Sequence, residues 1–236
     1  MTEEVFKIWE KIKGDVFEYL KNTDFLCLIA HGSFAEGTQN KNSDFDILVL
    51  CKEDVAERTE VITIKDIEVD FDFIHEKTVR SQVESLDELL MPGLIPPFAA
   101  RLKNAVILVD REEKGKTLVD MAKQYRPPDD LMSHYTRRGL GYYYDAVGAM
   151  ASGNYATSIN MARLGAAIVQ AGILLNLGDL YVDRKWLIEL MKRKSIPQES
   201  FLKLMGLDEA DKGQALQCIR ELNNLISELQ CLREKK

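Results

Sequence analysis

The sequence predicts an α/β (α+β) fold in which a small mixed sheet flanked by helices is followed by an all-α helical bundle. The first observation is a set of short apolar or alternating runs with strand character, all of which lie before residue 111. The second is that the chain after residue 130 has helical spacing throughout. The third is "RPPDD" at residues 126–130, where two prolines cannot continue a helix. We therefore predict one domain over residues 1–126 and a second over residues 127–236.

The first half begins with an amphipathic helix. Its apolar side is expected to contain Val5, Phe6, Ile8, Trp9, Ile12, Val16 and Leu20. The next segments are predicted as a strand at 25–30, a polar turn region at 31–43 and a strand at 44–51. A hairpin is predicted at 61–74, around a tight Lys65–Asp66 turn. The remaining segments are predicted as a helix at 81–91, a short helix at 98–104, a strand at 105–110 and a helix at 112–125. A sheet therefore forms early in the chain.

The second half is predicted to consist of helices at 130–151, 155–177, 183–194 and 208–232. Small residues are frequent between residues 146 and 172, which lets helices approach closely, as in an antiparallel bundle. The longest apolar run, at 164–178, is short for a membrane span and contains Gln170. We expect it to be a bundle helix and expect no membrane segment.

The composition narrows the classes of partner. The 236 residues are 46% hydrophobic, which is enough for a sizeable core, and the formal net charge is −7. A surface that binds duplex nucleic acid normally carries a basic excess, so we expect no long nucleic-acid partner and favour small cationic substrates. The cysteines show no zinc-site spacing, and Cys27 and Cys51 lie in apolar strand-like runs. Reduced thiols and the absence of a leader-like N-terminus predict a cytoplasmic location.

An acidic pattern opens the strand at 44–51. Successive side chains of a strand alternate between faces, so Asp44 and Asp46 point the same way. Their mutual repulsion disfavours the doubly ionised state unless a positive charge lies between them, and a divalent cation is the usual partner. The second arm of the hairpin offers a third carboxylate. Glu68, Asp70 and Asp72 share one face there, and spacing alone does not select among them.

A Gly-Ser pair follows the first strand. Gly32 lets the backbone approach a ligand closely, and backbone N–H groups together with the Ser33 hydroxyl suit a phosphate chain. Ser43 lies in the spacer between this pair and the aspartates. These residues suit a phosphate group beside a metal site.

The pattern Gly32-Ser33, ten residues, then Asp44-x-Asp46 and an apolar strand resembles the signature of the DNA polymerase β-like nucleotidyltransferase superfamily. The strand at 105–110 with its following helix, and the helical second domain, resemble the kanamycin- and lincosamide-nucleotidyltransferase branch. In the superfamily the third carboxylate lies between apolar neighbours, which Asp70 matches best, with Asp72 in reserve. The resemblance implies that Asp44, Asp46 and Asp70 are the catalytic and metal-binding residues and that Gly32, Ser33 and Ser43 contact the nucleotide.

The resemblance also implies the reaction. An acceptor hydroxyl attacks the α-phosphorus of a nucleoside triphosphate, by default ATP, with two Mg²⁺ ions at the aspartates, and pyrophosphate leaves. Asp70 could take the proton of the hydroxyl. Relatives in this branch modify aminoglycosides or lincosamides, which confers antibiotic resistance, and several form homodimers. The alternatives are an antitoxin-like or regulatory module that binds a nucleotide or a partner, and an enzyme that adenylylates a protein or an RNA end.

Two further groups of residues have open roles. His31 precedes Gly32 where relatives place an aromatic or apolar residue, and we favour packing or a supporting hydrogen bond over a phosphate contact. The predicted helix at 133–145 concentrates His134, Arg137 and several tyrosines. These side chains could line an acceptor pocket or bind the triphosphate, but interhelical packing and solvent exposure are the more common roles.

Overall fold

The computed structural model describes residues 2–86, 98–180 and 186–207. The helices are α1 (Thr2–Tyr19), α2 (Gly32–Glu36), α3 (Glu76–Glu84), α4 (Phe98–Arg101), α5 (Lys114–Gln124), α6 (Asp129–Ala151), α7 (Tyr155–Asn176), α8 (Leu187–Arg193) and α9 (Glu199–Met205). The strands are β1 (Phe25–Ala30), β2 (Phe45–Cys51), β3 (Arg58–Ile64), β4 (Ile67–His75) and β5 (Val106–Asp110). A 3₁₀ turn, Leu102–Asn104, follows α4.

The strands form one mixed sheet in the order β3-β4-β2-β1-β5. Only the central β2–β4 pair is parallel, and the other neighbours are antiparallel. Strands β3 and β4 form the predicted hairpin, whose turn residues Lys65 and Asp66 have positive φ angles of 49° and 66°. Two left-handed residues in succession match the twist of the adjoining strands. The mixed sheet with flanking helices confirms the predicted fold class.

One face of the sheet is covered by α1. The helix places Val5, Trp9, Ile12 and Val16 in an apolar cluster with inward-facing side chains of β1, β2 and β4. Phe6 was expected on the same side, but it is 40% exposed and that prediction is wrong. Each helical residue rotates by about 100°, so Phe6 lies beyond the edge of the stripe that Val5 begins.

The other face of the sheet packs on helices from both halves of the chain. Its apolar cluster contains Cys27 and Leu48 from the strands, Leu118 from α5, and Leu131 and Leu174 from the C-terminal helices. Residues from both sides of the predicted domain boundary at residue 126 therefore pack in one continuous core. The division into two domains stays a prediction.

Helix α9 was not predicted. The predicted helix at 208–232 lies outside the described residues.

Helices α6 and α7 form an antiparallel pair that approaches closely at glycines. A Cβ added to Gly165 would lie 2.9 Å from Cβ of Tyr142, and one added to Gly172 would lie 2.9 Å from Cβ of Tyr135. These contacts agree with the close packing that the small residues predicted. Tyr135 is buried in this contact, which favours packing as its role.

Helices α6 and α7 also expose large apolar side chains. They are Leu140, Tyr143, Tyr144, Val147, Met150, Tyr155, Ile159, Val169 and Ile173. Helix α7 is long and apolar enough to cross a membrane by length and composition, and only 28% of its most apolar window is buried. Core helices of soluble proteins pass the same test, so the expectation of no membrane segment stays a prediction.

Candidate active site

Strand register brings the predicted carboxylates together. In the parallel β2–β4 pair, Asp46 lies opposite Asp70. Asp44 precedes β2 by one residue and lies two positions before Asp46. Asp44, Asp46 and Asp70 each offer an oxygen atom, and these atoms lie within 4.8 Å of one another. The register selects Asp70 over its neighbours on β4, which the alternation of the strand alone could not do.

Gly32 lies in close contact with the Asp46 side chain of this cluster. Its φ is +66°, and a Cβ at this position would lie 2.0 Å from Oδ2 and 2.6 Å from Cγ of Asp46. The preceding backbone N–H, of His31, donates to the backbone carbonyl of Asp46 at 3.1 Å. A side chain larger than hydrogen would therefore displace the Asp46 carboxylate, and the positive φ adds strain for any other residue. The glycine fixes how closely the turn approaches the aspartate.

Of the two predicted serines, Ser33 precedes the spacer and Ser43 is the last residue of the spacer. Ser33 is the second residue of α2, and its Oγ is buried without a hydrogen-bond partner in the part of the chain that the structure describes. A buried hydroxyl without a partner is uncommon and suits a polar ligand. The Ser43 hydroxyl accepts a hydrogen bond of 2.9 Å from the N–H of Asn40 and closes the turn before Asp44. It can still donate its own hydrogen.

Burial and neighbouring carboxylates raise the pKa values of Asp46 and Asp70. Burial, followed by the charges of Asp72, Asp46 and Asp44, raises the pKa of Asp70 to about 6. Burial is also the main cause of the raised pKa of Asp46, where Asp44 adds to it and His31 opposes it. Oδ1 of Asp70 is buried and has no hydrogen-bond partner within the described ranges. A divalent cation would relieve both the repulsion and the unpaired oxygen.

Asp72, the reserve candidate, has a different environment on the same strand. Its Oδ1 accepts a hydrogen bond of 2.7 Å from the Thr59 hydroxyl. Its Oδ2 lies 3.5 Å from Nε2 of His31, the outer limit of a hydrogen bond. Burial raises the pKa of Asp72, but the contacts with His31 and Thr59 outweigh it, and the net pKa is lowered. Asp72 and His31 thus form a pair behind the cluster, in keeping with a supporting role for His31.

Sequence reasoning missed the cationic and aromatic side chains that α4 brings to the site. Phe98 packs edge-on against the His31 ring, with the ring centroids 6.0 Å apart. The charge of Arg101 opposes the burial that raises the pKa of Asp46, and it contributes to the lowered pKa of Asp72. Neither residue belongs to a motif, and no local signal links α4 to strands that precede it by more than twenty residues.

The segment at 133–145, whose role was left open, lies in α6. Its His134 and Arg137 side chains are exposed.

The chemistry of this donor set fits magnesium. Carboxylate oxygens are the ligands that a hard divalent cation prefers, and the unpaired buried oxygen of Asp70 needs a partner. Asp44, Asp46 and Asp70 are therefore the residues that could hold such an ion.

Comparison with known proteins identifies part of the chain. Residues 14–90 match the family described as "Polymerase beta, Nucleotidyltransferase". No curated protein matches the chain. Among solved structures, a nucleotidyltransferase-like protein from Exiguobacterium sibiricum is similar over 83% of this chain and 78% of its own, with 13% sequence identity and a TM-score of 0.42. None of these comparisons addresses the kanamycin- and lincosamide-nucleotidyltransferase branch. Residues 14–90 contain the Gly-Ser turn and the three aspartates, so the family match includes every residue of the predicted site and supports the DNA polymerase β-like superfamily for this part of the chain.

Proposed function

We propose that the protein is a Mg²⁺-dependent nucleotidyltransferase that moves a nucleoside monophosphate, by default AMP from ATP, onto a hydroxyl of a small molecule. The observation that carries the proposal is the convergence of Asp44, Asp46 and Asp70 beside Gly32, whose Cα lies against Asp46. A module that only binds a partner has no need of three mutually repelling carboxylates at one point.

Each residue has a role in the proposed reaction. Asp44, Asp46 and Asp70 hold two Mg²⁺ ions, which supply positive charge against the phosphates when bound. Gly32 admits the phosphate chain, and the hydroxyls of Ser33 and Ser43 donate hydrogen bonds to it. Asp70 accepts the proton of the acceptor hydroxyl. The acceptor oxygen forms a bond to the α-phosphorus, the bond from that phosphorus to the bridging oxygen breaks, and pyrophosphate leaves with the bonding electrons.

Aminoglycosides and lincosamides are the acceptors that we propose, with antibiotic resistance as the consequence. The acidic net charge of the protein suits a cationic acceptor. We also propose a homodimer, because several large apolar side chains of α6 and α7 are exposed. A cytoplasmic location is part of the same proposal.

The test is a transfer assay. Wild-type protein is incubated with ATP or GTP labelled at the α-phosphate, Mg²⁺ and a panel of aminoglycosides, lincosamides and candidate proteins. We expect labelled antibiotic and released pyrophosphate, both lost when EDTA removes the metal. Label on a protein instead would identify a protein acceptor. No labelled product, with no Mg²⁺-ATP-dependent thermal shift, would contradict the enzyme and favour the antitoxin-like or regulatory module.

Matched variants make the assay specific. Asp44→Asn and Asp46→Asn remove one charge each and are expected to abolish transfer with the fold intact. Asp120→Asn removes an exposed carboxylate on α5 and serves as the control. Circular dichroism checks the fold of all three variants. Near-normal activity in either Asp44→Asn or Asp46→Asn would show that the assigned residue does not bind the metal.

A further inference from the structure

Glu36, the last residue of α2, has a buried carboxylate. The residue is only 2% exposed, although glutamate is rarely buried without a partner. It lies three positions after Ser33 on a helix of five residues. The surroundings of Glu36 therefore bear directly on the turn that forms the nucleotide site.

Two elements distant in sequence hold this carboxylate. Nδ2 of Asn104, in the 3₁₀ turn after α4, donates to Oε1 and Oε2 at 3.1 and 2.9 Å. Nη1 of Arg193, the last residue of α8, lies 3.7 Å from Oε2. One side chain thus joins α2 to the turn before β5 and to the C-terminal helices.

Other charged groups surround this contact. Nζ of Lys194 lies 3.5 Å from Oδ2 of Asp179, which follows α7, and Lys103 donates to the carbonyl of Gly178 at 2.6 Å. Burial raises the pKa of Glu36 to about 7; the hydrogen bond from Asn104 and the charges of Arg193 and Lys194 oppose this effect, whereas Asp179 adds to it. The ends of α7 and α8 therefore meet α2 through charged side chains.

Because α2 is short, the contacts of Glu36 also restrict the position of Gly32 and Ser33. A helix of five residues moves as a unit, so the position of Glu36 fixes that of Gly32 and Ser33 at its other end. Gly32 has no clearance from Asp46, because an added Cβ would overlap that carboxylate. A displacement at Glu36 is consequently transmitted to the nucleotide contacts.

We propose that Glu36 is a positioning residue, which couples the C-terminal helices to the nucleotide site by holding the Gly32–Ser33 turn through Asn104 and Arg193. The role rests on the proposed nucleotidyl transfer. Because the turn contacts phosphates before and during the reaction, its displacement raises KM for the nucleotide more than it lowers kcat. The affinity for Mg²⁺ stays the same, since the aspartates lie on or beside strands.

The experiment combines Glu36→Gln, Arg193→Met and the double variant, with the exposed Glu18→Gln as the control. The assays are run at pH 8, above the pKa of Glu36, where Glu36→Gln keeps an oxygen that can accept from Asn104 but removes the charge that faces Arg193. We expect each single variant to raise KM for ATP about three- to tenfold, with kcat changed less than about twofold. The double variant should show no more than the larger single effect, because both changes break one pair.

Hydrogen exchange gives a readout that does not depend on activity. Arg193→Met is expected to speed amide exchange in residues 32–36, on a different element, while Glu18→Gln leaves it unchanged. Additive KM effects in the double variant, unchanged KM in an active protein, or loss of kcat alone would overturn the positioning role. A wild-type protein that neither binds nor transfers nucleotide would overturn the proposed function, and altered exchange would then show only a structural link.

Discussion

Acidic side chains lie at both ends of α2, and their environments differ: three half-buried aspartates lie at one end, and the buried Glu36 lies at the other. At the end that contains Gly32, the carboxylates of Asp44, Asp46 and Asp70 converge, and one Asp70 oxygen has no hydrogen-bond partner among the described residues. At the other end, both oxygens of Glu36 accept from Asn104, and Arg193 lies beside it. Burial raises the pKa of carboxyls in both groups.

The difference separates the proposed metal site from a carboxylate that connects parts of the fold. The chain supplies fixed donors for Glu36 on two other elements, so this carboxylate connects parts of the fold. Around Asp70 the pKa is raised first by burial and then by the charges of Asp72, Asp46 and Asp44. Burial alone therefore does not identify a site. Mutual repulsion together with an unpaired oxygen indicates an external cation.

The largest expected effect contrasts two aspartates of β4. Asp70→Asn should lower the rate of transfer on the order of a thousandfold, because it removes a metal ligand and the proton acceptor. Asp72→Asn should lower the rate less than about tenfold, because Thr59 and His31 already hold that carboxylate inside the protein. Single-turnover rates at saturating nucleotide and Mg²⁺ measure both. Equal losses would mean that the register of β2 and β4 does not define the ligand set.

The next effect is the pH dependence of stability from Glu36. Its pKa is raised in the folded protein, so the folded state holds the proton more tightly than the unfolded state, and stability falls as pH rises towards 7. Compared with Glu36→Gln, the wild type should lose up to about 3 kcal/mol between pH 4.5 and pH 8. Urea unfolding across this range measures the difference. A difference between the two proteins that does not change with pH would show that the carboxyl titrates normally.

A smaller effect is expected from glycine substitution, and the chain offers its own control. Gly32→Ala should cost about 2 kcal/mol of stability and weaken nucleotide transfer, because the new methyl group meets Asp46 and φ is positive. Gly14, within α1, has no heavy atom within 4 Å of an added Cβ. Gly14→Ala should instead stabilise the helix by up to about 1 kcal/mol. Thermal unfolding compares them, and an unaffected Gly32→Ala would contradict the close approach.

The smallest effect concerns Asp72, which pairs with His31 and accepts a hydrogen bond from Thr59. Thr59→Val removes the hydrogen bond to Asp72 and should cost about 1 kcal/mol at pH 7. The pKa of Asp72 is lowered in the folded protein, so this contribution is present at neutral pH and disappears as pH falls through the folded pKa. Thr63→Val, an exposed position on the same strand, is the control. Loss of stability that persists in acid would assign the effect to packing instead.

The sequence allowed the local features of the site to be predicted. The Gly-Ser pair, the two aspartates of β2 and the acidic face of β4 follow from strand alternation and spacing. The choice of Asp70 over Asp72 needed the β2–β4 register, which local periodicity does not contain. Family resemblance favoured Asp70, and the register independently places it opposite Asp46.

Long-range contacts could not be predicted in this way. Asn104 and Arg193 meet Glu36 across 68 and 157 positions of sequence, and nothing in their local pattern marks either residue. Glu36 itself lies in the region that was predicted as a polar turn, at 31–43, but its side chain is buried. The exposure of Phe6 and the additional helix α9 depended similarly on which surfaces the tertiary packing covers.

Direct measurement of metal binding tests the central claim, that Asp44, Asp46 and Asp70 converge to hold divalent cations. Mn²⁺ replaces Mg²⁺ as the probe, and electron paramagnetic resonance counts the free ion during titration with and without ATP. Saturable binding to the wild type, weakened at least about tenfold in Asp46→Asn and unchanged in Asp120→Asn, is the result that this account predicts. Equal Mn²⁺ binding by the wild type and Asp46→Asn, or no binding by the wild type even with ATP, would contradict it.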